Sequence, residues 1–200
     1  MNWEQWLGML AASAVAWGTI IPIGIGVLVV LWAVGIYNRL VKLRNHAKEA
    51  WADIETELKR RYNLIPNLVE TVKGYATHES ETLENVVKAR NAAASPHSSP
   101  EAQAKDENIL SGALRQLFAV AEAYPDLKAN TNFLELQQEL ANTEDRIQRS
   151  RRFYNANVRD LNTRIEVFPS NVIAGMFGFD KREYFEIEDE AQREAPKVEF

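Results

Sequence analysis

The sequence predicts an all-α protein in which an N-terminal transmembrane helix continues into an antiparallel four-helix bundle with two long and two shorter helices. Two observations support this class. No charged side chain occurs from Leu7 to Tyr37, and apolar residues recur every seven positions in two long segments of the remainder. Such an uncharged run exceeds the roughly 20 residues needed to cross a bilayer. Seven-residue repeats are typical of helices that pack against one another.

The composition excludes several kinds of chemistry. The chain has no cysteine and three histidines, which removes disulfides, thiolate catalysis and cysteine-ligated metal sites. A formal net charge of -5 gives no general attraction to nucleic acid, so we expect no nucleic-acid partner. His78 and Glu79 begin like a zinc-protease motif, but Thr82 stands where its second histidine would be. No P-loop or nucleophile-elbow motif is present, and the sequence predicts neither an enzyme nor a cofactor.

The membrane span is assigned to residues 18–37, and residues 1–17 to a short interfacial or extracytoplasmic segment. Trp17 and Tyr37 are twenty positions apart and suit the two membrane interfaces. Basic residues follow the span closely and none precedes it, which places the remaining chain in the cytoplasm and the N-terminus outside. The predicted anchors are Trp17, Trp32, Tyr37, Arg39, Lys42 and Arg44.

Small residues and a proline mark the start of the chain. Gly8, Ala12 and Ala16 recur every four positions and form a stripe that suits packing against a second helix, so a homo-oligomer is a predicted partner. Pro22 predicts a kink or break. A cleaved signal peptide is the competing interpretation, which Glu4 and the lack of basic residues before the apolar run disfavour.

Residues 38–168 are assigned to the cytoplasmic bundle, because two seven-residue series within them predict long helices. The first series starts at Leu40 and the second ends at Phe168. Pro66 lies inside the first helix and predicts a kink or local unwinding. If the helices alternate in direction, the last one returns to the membrane and brings Phe168 close to the bilayer. A parallel coiled coil between two chains is the alternative.

Two shorter helices are predicted between the long ones. The first covers about residues 79–94. Ser99 is the predicted N-cap of the second, with Pro100 at its first position, and Pro125 closes it. Asn132 is predicted to open the last long helix through a capping box.

Polar residues within the apolar series predict a network between helices. Arg61 falls in the first series, and Tyr154 of the second stands beside several polar side chains. An unsatisfied buried polar group costs about 1–3 kcal/mol, so we expect these groups to pair and to fix the register of the bundle. A ligand pocket at mid-bundle is the alternative. The candidate network consists of Arg61, Asn67, Arg151, Arg152, Tyr154, Asn155 and Arg159.

Residues 169–200 form an aromatic and acidic tail. Its first part, from Phe168 to Phe179, carries no charge and therefore needs to be covered by the bundle, the membrane surface or a partner. The candidate docking residues are Phe168, Phe177, Phe179, Tyr184, Phe185, Val198 and Phe200.

The chain resembles the LemA family of bacterial membrane proteins over nearly all of residues 37–200. The resemblance is carried by RRYNLIPNLV (60–69), RRFYNANVRDLN (151–162), FPSN (168–171), YF (184–185) and PKVEF (196–200). It implies an N-terminal transmembrane helix, a cytoplasmic helical bundle and no established enzymatic activity. It also implies a genomic association with membrane proteases of the HtpX type and a relative in magnetosome membranes.

We therefore expect a non-enzymatic scaffold or adaptor at the cytoplasmic face of the bacterial inner membrane, organising or recruiting membrane proteins in envelope maintenance or protease association. Its expected partners are the bilayer and other membrane proteins. The alternative is a self-assembling structural protein that shapes membrane. A third hypothesis is a small-ligand sensor or hydrolase built on Arg61 and Tyr154. Deleting residues 172–200 is expected to abolish partner binding and leave the bundle folded.

Overall fold

The computed structural model describes residues 3–186, except for the side chains of residues 4–19. Within this range the regular structure is entirely helical, which confirms the predicted all-α class. The helices are α1 (Trp3–Lys73), α2 (Ser80–Ala93), α3 (Pro100–Glu122), α4 (Pro125–Lys128), α5 (Thr131–Glu166) and α6 (Ser170–Met176).

Helix α1 is a single helix of 71 residues that joins the apolar N-terminal segment to the bundle. It continues through both of its prolines, so Pro22 does not break it and Pro66 does not unwind it. A proline inside a helix removes one backbone hydrogen bond and crowds the carbonyl four residues earlier, so the helix continues only where other contacts compensate. At Pro66 the neighbouring Ile65 and Leu68 are buried in the core, and their packing maintains the helix across the missing bond.

The N-terminal half of α1 has the properties of a membrane anchor. Among the described residues, it belongs to the one helix that is long and apolar enough to cross a membrane, with a mean hydropathy of 2.4 in its most apolar window. Only 6% of that window is buried. The large apolar side chains from Ile20 to Trp32 are exposed, so no described part of the chain covers them.

Helices α1 and α5 pack side by side in opposite directions. The rings of Trp51 and Tyr154 lie 5.3 Å apart, and the Asn130 amide donates a hydrogen bond to the Tyr75 hydroxyl at 2.9 Å. Residue numbers therefore rise along α1 as they fall along α5. Helix α5 consequently runs back towards the apolar segment of α1.

The two seven-residue series form the seam between these helices, except at their last members. Tyr75 and Phe168 lie beyond the ends of α1 and α5 and are exposed. The buried members are Leu40, Ala47, Ile54, Arg61 and Leu68 in α1, and Phe133, Leu140, Ile147, Tyr154 and Leu161 in α5.

Helices α2 and α3 form a shorter hairpin that covers only one half of the α1–α5 pair. We call this half, which lies farther from the apolar segment of α1, the membrane-distal half, and the other the membrane-proximal half. They have 14 and 23 residues, against 36 for α5, or about 21 and about 35 Å against about 54 Å. The hairpin lies beside the C-terminal part of α1, where Tyr62 reaches the Ala93 carbonyl. Beside the other half of the pair, the chain places α6 and residues 177–186. Helices α2 and α3 therefore accompany the α1–α5 pair only along its membrane-distal half.

Helix α3 begins as predicted. The Ser99 hydroxyl oxygen accepts a hydrogen bond from the Ala102 backbone N–H at 3.2 Å, and Pro100 is the first helical residue. The helix ends at Glu122, and Pro125 opens the one-turn helix α4 rather than closing α3. The fixed φ of proline suits the first turn of a helix, which explains the difference from the prediction.

Helix α5 is capped by Asn130 and not by the predicted Asn132. The side-chain oxygen of Asn130 accepts a hydrogen bond from the Phe133 backbone N–H at 3.0 Å. The one-turn helix α4 shifts the chain so that α5 starts at Thr131 and Asn132 already lies within its first turn.

Replacing Asn130 by alanine is expected to lower the free energy of unfolding by about 1 kcal/mol, because the first turn of α5 loses its cap and the Tyr75 hydroxyl loses a hydrogen-bond donor. The matched change Asn132→Ala should cost less than about 0.5 kcal/mol, since that side chain is exposed. Urea unfolding of both full-length variants measures the two losses. Equal losses would contradict the assignment of the cap.

Candidate functional site

Glu107 of α3 is a fully buried carboxylate in the membrane-distal half of the bundle. One of its oxygens accepts a hydrogen bond from the Arg61 guanidinium at 3.2 Å. The other accepts from the Tyr62 hydroxyl and from the Gln103 amide, the latter at 3.1 Å. Because Arg61 and Tyr62 belong to α1, this carboxylate joins α3 to α1.

Arg61 extends the same cluster to α5. Its guanidinium forms ion pairs with Glu107 at 3.2 Å and with Glu144 at 3.5 Å. It also donates a hydrogen bond to the Ser111 hydroxyl at 2.8 Å. One buried cation thus connects three helices, and it is balanced by two carboxylates.

The environment of the cluster shifts the protonation of its members. Burial raises the pKa of Glu107 above its ordinary value, and the charge of Arg61 and the hydrogen bond from Tyr62 act in the opposite direction. Burial and the neighbouring Glu107 raise the pKa of Tyr62, which keeps this phenol protonated as a donor. The grooves along α2 are lined by other residues. The arrangement therefore suits helix attachment better than chemistry on a ligand.

The raised pKa of Glu107 predicts a pH-dependent component of stability. Between its unfolded and folded pKa values the folded chain binds more protons, so the free energy of unfolding falls as the pH rises through this window. Glu107→Gln cannot titrate and should lack this component. As the pH is lowered, the free energy of unfolding of the wild type should therefore increase relative to that of Glu107→Gln. Urea unfolding at several pH values measures it, and a difference independent of pH would contradict the prediction.

A second polar site holds the chain after α6 against α5. The Asn162 amide donates to the Arg182 carbonyl at 2.8 Å, and its oxygen accepts from the Arg182 N–H at 2.9 Å. Asn155 pairs in the same way with the backbone of Phe185, at 3.1 and 2.9 Å. Seven residues of helix rise about 10.5 Å, which matches about 10 Å for three residues of extended chain. We call Asn155 and Asn162 the asparagine clamp.

Phe185 fills the core beneath the clamp. Its side chain is fully buried, and its ring lies 5.3 Å from that of Trp51, which also contacts Tyr154. The Tyr154 hydroxyl donates a hydrogen bond to the Glu183 carbonyl at 2.9 Å. Burial raises the pKa of Tyr154, so it remains a donor. The tail thus takes the place that a third helix would occupy in the membrane-proximal half.

Aromatic residues nearer the apolar segment attach the tail to α1. The rings of Tyr37 and Phe179 lie 5.7 Å apart, and the Arg44 guanidinium stands 5.1 Å from the centre of the Phe179 ring. Phe177 also contacts Tyr37, at 4.8 Å, but remains 59% exposed. A cation over an aromatic face is a favourable contact, so Arg44 has an internal partner.

The structure places the residues of the predicted polar network in two separate sites and on the surface. Tyr154 lies opposite Trp51, and Arg61 is ten residues further along α1, or about 15 Å away, so the two cannot share one site. Arg61 joins Glu107, whereas Tyr154 and Asn155 hold the tail. Asn67, Arg152 and Arg159 are exposed, and Arg151 is half-buried with a partner of its own.

Some of the predicted docking residues of the tail are buried in the core, and others are exposed. Phe179 and Phe185 belong to the core and are not available for a partner, whereas Phe168, Phe177 and Tyr184 are exposed. Val198 and Phe200 lie outside the described residues. A deletion of residues 172–200 would remove core aromatics, so it is not expected to leave the bundle folded.

The predicted membrane anchors from Trp32 onwards are exposed, apart from Tyr37. Trp32, Arg39, Lys42 and Arg44 are exposed, and Tyr37 is half-buried by the tail. The side chains of Trp17, Gly8, Ala12 and Ala16 lie outside the described part of α1.

Several residues of these sites were not singled out in the sequence, and two of them carried a signal. Glu107 stands between Ala104 and Leu110 at helical spacing, so its place on the apolar face of α3 was a usable signal. Asn162 follows Asn155 by seven positions on the same face of α5, and this repeat was the other signal.

The fold and sites define an all-helical protein with an N-terminal helix of membrane-anchor type and a bundle that packs its own tail. The family model described as the LemA family matches residues 50–200. The chain belongs to the LemA family, which confirms the resemblance found in the sequence.

Relatives extend this comparison. The chain is 30% identical over 144 residues to Protein LemA of Metamycoplasma hominis, covering 70% of this chain and 64% of the relative. It is 25% identical over 175 residues to Magnetosome protein MamQ 2 of Paramagnetospirillum magneticum, covering 75% and 64%. It is 24% identical over 174 residues to Magnetosome protein MamQ of Magnetospirillum gryphiswaldense, covering 74% and 64%. The chain thus spans less than two thirds of the length of these relatives.

Proposed function

We propose that this protein is a non-enzymatic scaffold or adaptor that organises or recruits membrane proteins at the cytoplasmic face of a bacterial inner membrane. The observation that carries the proposal is α1, which runs from the exposed apolar segment into the bundle as one helix. A bundle joined without a flexible linker keeps a fixed height and orientation above the membrane. This geometry suits a protein that positions another one.

Charge and internal bonding support the other parts of the proposal. Arg39, Lys42 and Arg44 directly follow the apolar segment, which favours an external N-terminus and a cytoplasmic bundle. Glu107 and the asparagine clamp bond to this chain's own helices and tail. Their bonding supports a structural use of the polar groups and hence a non-enzymatic role.

We assign client binding to the groove between α2 and α3. It has a volume of about 500 Å³, and half of its lining residues are small, namely Ala89, Ala92, Gly112 and Ala113, with the 61% exposed Ile109 at its side. A side chain added at Gly112 would meet nothing within 4 Å, so the groove is open there. Small residues allow a partner helix to approach closely. Another membrane protein is the proposed client, and an HtpX-type protease is the partner that the family resemblance implies.

Native mass spectrometry of the full-length protein, extracted gently from its own membranes, tests this function. We expect a second membrane protein in fixed stoichiometry. Ile109→Arg places a charge in the groove and should remove that protein, whereas Leu134→Arg, at a 47% exposed position of α5, should retain it.

Two results would argue against the proposal. A homo-oligomer without a second protein would contradict the adaptor role and favour the self-assembling protein that shapes membrane. A client retained equally by both variants would exclude the groove as its binding surface.

A further inference from the structure

The chain after α5 packs against the end of the predicted membrane span. A small core at this point consists of Ile36, Leu40, Leu161, Ile173, Ala174 and Phe179. Ala33 and Tyr37 pack against it from α1. Because Ala33 lies inside the predicted span of residues 18–37, α6 stands beside the last turns of that span. This is the level at which α1 leaves the hydrocarbon core.

The outer face of this segment is apolar, and no described part of the chain covers it. No charged residue occurs from residue 167 to residue 179. The exposed fraction is 77% for Phe168, 72% for Met176 and 52% for Val172. Val172 and Met176 are one turn apart, on the side of α6 away from the buried Ala174. The segment therefore presents one apolar face to α1 and α5 and a second to its surroundings.

Cations border the segment on the side away from the span. Arg39 and Lys42 are exposed and follow Tyr37 within two helical turns. Arg44 is exposed as well, beside Phe179. Lipid phosphates lie at this level of a bilayer and attract such side chains. Along α1, the apolar span is followed first by the level of the apolar segment and then by these cations. The same order of apolar and cationic groups is found at a membrane interface.

We propose that residues 167–179 form an interfacial foot, a short apolar segment that lies in the headgroup layer of the bilayer crossed by α1. Phe168, Val172 and Met176 would then reach the upper part of the acyl chains. Phe177, which is also exposed, contacts Tyr37 at the end of the predicted span, so the foot adjoins the apolar segment of α1, and this favours lipid over water or a second protein copy. The inference rests on the membrane-anchoring part of the proposed function and does not depend on a client.

The depth of fluorescent labels tests the foot in the full-length chain. The chain has no cysteine, so Val172→Cys and Met176→Cys can each be labelled singly with bimane. The protein is inserted into vesicles of phosphatidylcholine and phosphatidylglycerol. We expect both labels within about 5–10 Å of the boundary between headgroups and acyl chains. Lipid brominated near the top of its chains should therefore quench them more strongly than aqueous iodide does.

Two further single cysteines give the comparison. Leu134→Cys, at a 47% exposed position in the membrane-distal half, should be quenched by iodide alone. Leu28→Cys, at a 66% exposed position near the middle of the span, should be quenched by lipid brominated deeper along its chains. Iodide quenching at 172 and 176 that equals the quenching at 134 would overturn the foot. Protection from both quenchers would overturn it in favour of a protein contact.

The label at position 28 separates the foot from the proposed function. If brominated lipid quenches that label but not those at 172 and 176, the foot fails and the anchor stands. If brominated lipid quenches none of the three labels, both the anchor and the foot are overturned.

Discussion

Replacing Arg61 by alanine is expected to lower the free energy of unfolding of the bundle by about 3–5 kcal/mol. The change leaves the fully buried Glu107 and the partly buried Glu144 without their cation. It also removes the hydrogen-bond donor to the Ser111 hydroxyl. Urea unfolding of the full-length chain in detergent micelles, followed by circular dichroism, measures the loss.

The neighbouring arginine is the control. Arg60 is 48% exposed and its acidic neighbour Glu57 lies 4.0 Å away, so Arg60→Ala should cost less than about 1 kcal/mol. The loss caused by Arg61→Ala should shrink as the pH is lowered, because Glu107 with its raised pKa then takes up a proton. Similar losses for both arginines would contradict the role assigned to the buried pair.

Replacing Phe185 by alanine is expected to lower the free energy of unfolding by about 3–5 kcal/mol, as for other fully buried aromatic side chains. The change empties the space next to Trp51 in the membrane-proximal half. Helices α2 and α3 do not reach this half, so they do not cover the residues of α1 and α5 that face this space. The same urea unfolding experiment measures the effect.

Tyr184 is the matched control for this substitution. It is the preceding residue and is 40% exposed, so Tyr184→Ala should cost less than about 1 kcal/mol. If Phe185→Ala were no more costly than Tyr184→Ala, the tail would not be part of the core.

The helices of the bundle were predictable because their signal is local and periodic. A residue such as Ile54 or Ile147 recurs with its series every seven positions, and burial on one helix face follows directly from that spacing. The structure contradicts the break predicted at Pro22 and the local unwinding predicted at Pro66, since a sequence shows the hydrogen bond that Pro66 removes but not the core packing that compensates for it. Glu107 was missed although it stands on the apolar face of α3, because its partners Arg61 and Tyr62 belong to another helix and are about 45 positions away in the sequence.

The attachment of the tail was not predictable in the same way. Asn155 binds backbone atoms of a residue 30 positions later, and an amide side chain shows no preference in sequence for a backbone over another side chain. The uncharged run up to Phe179 indicated that the tail needs cover. Its cover became evident only with the lengths of α2 and α3, which leave part of the α1–α5 seam open.

The asparagine clamp has a consequence for how this segment can vary. Asn155 and Asn162 bond only to main-chain atoms, and Tyr154 adds a third main-chain contact at Glu183. Exchanging Glu183 for another residue other than proline leaves all of these bonds in place. Inserting one residue between 182 and 185 displaces the chain by about 3.3 Å and mispairs one asparagine. In related sequences this stretch should therefore tolerate substitutions but not insertions or deletions.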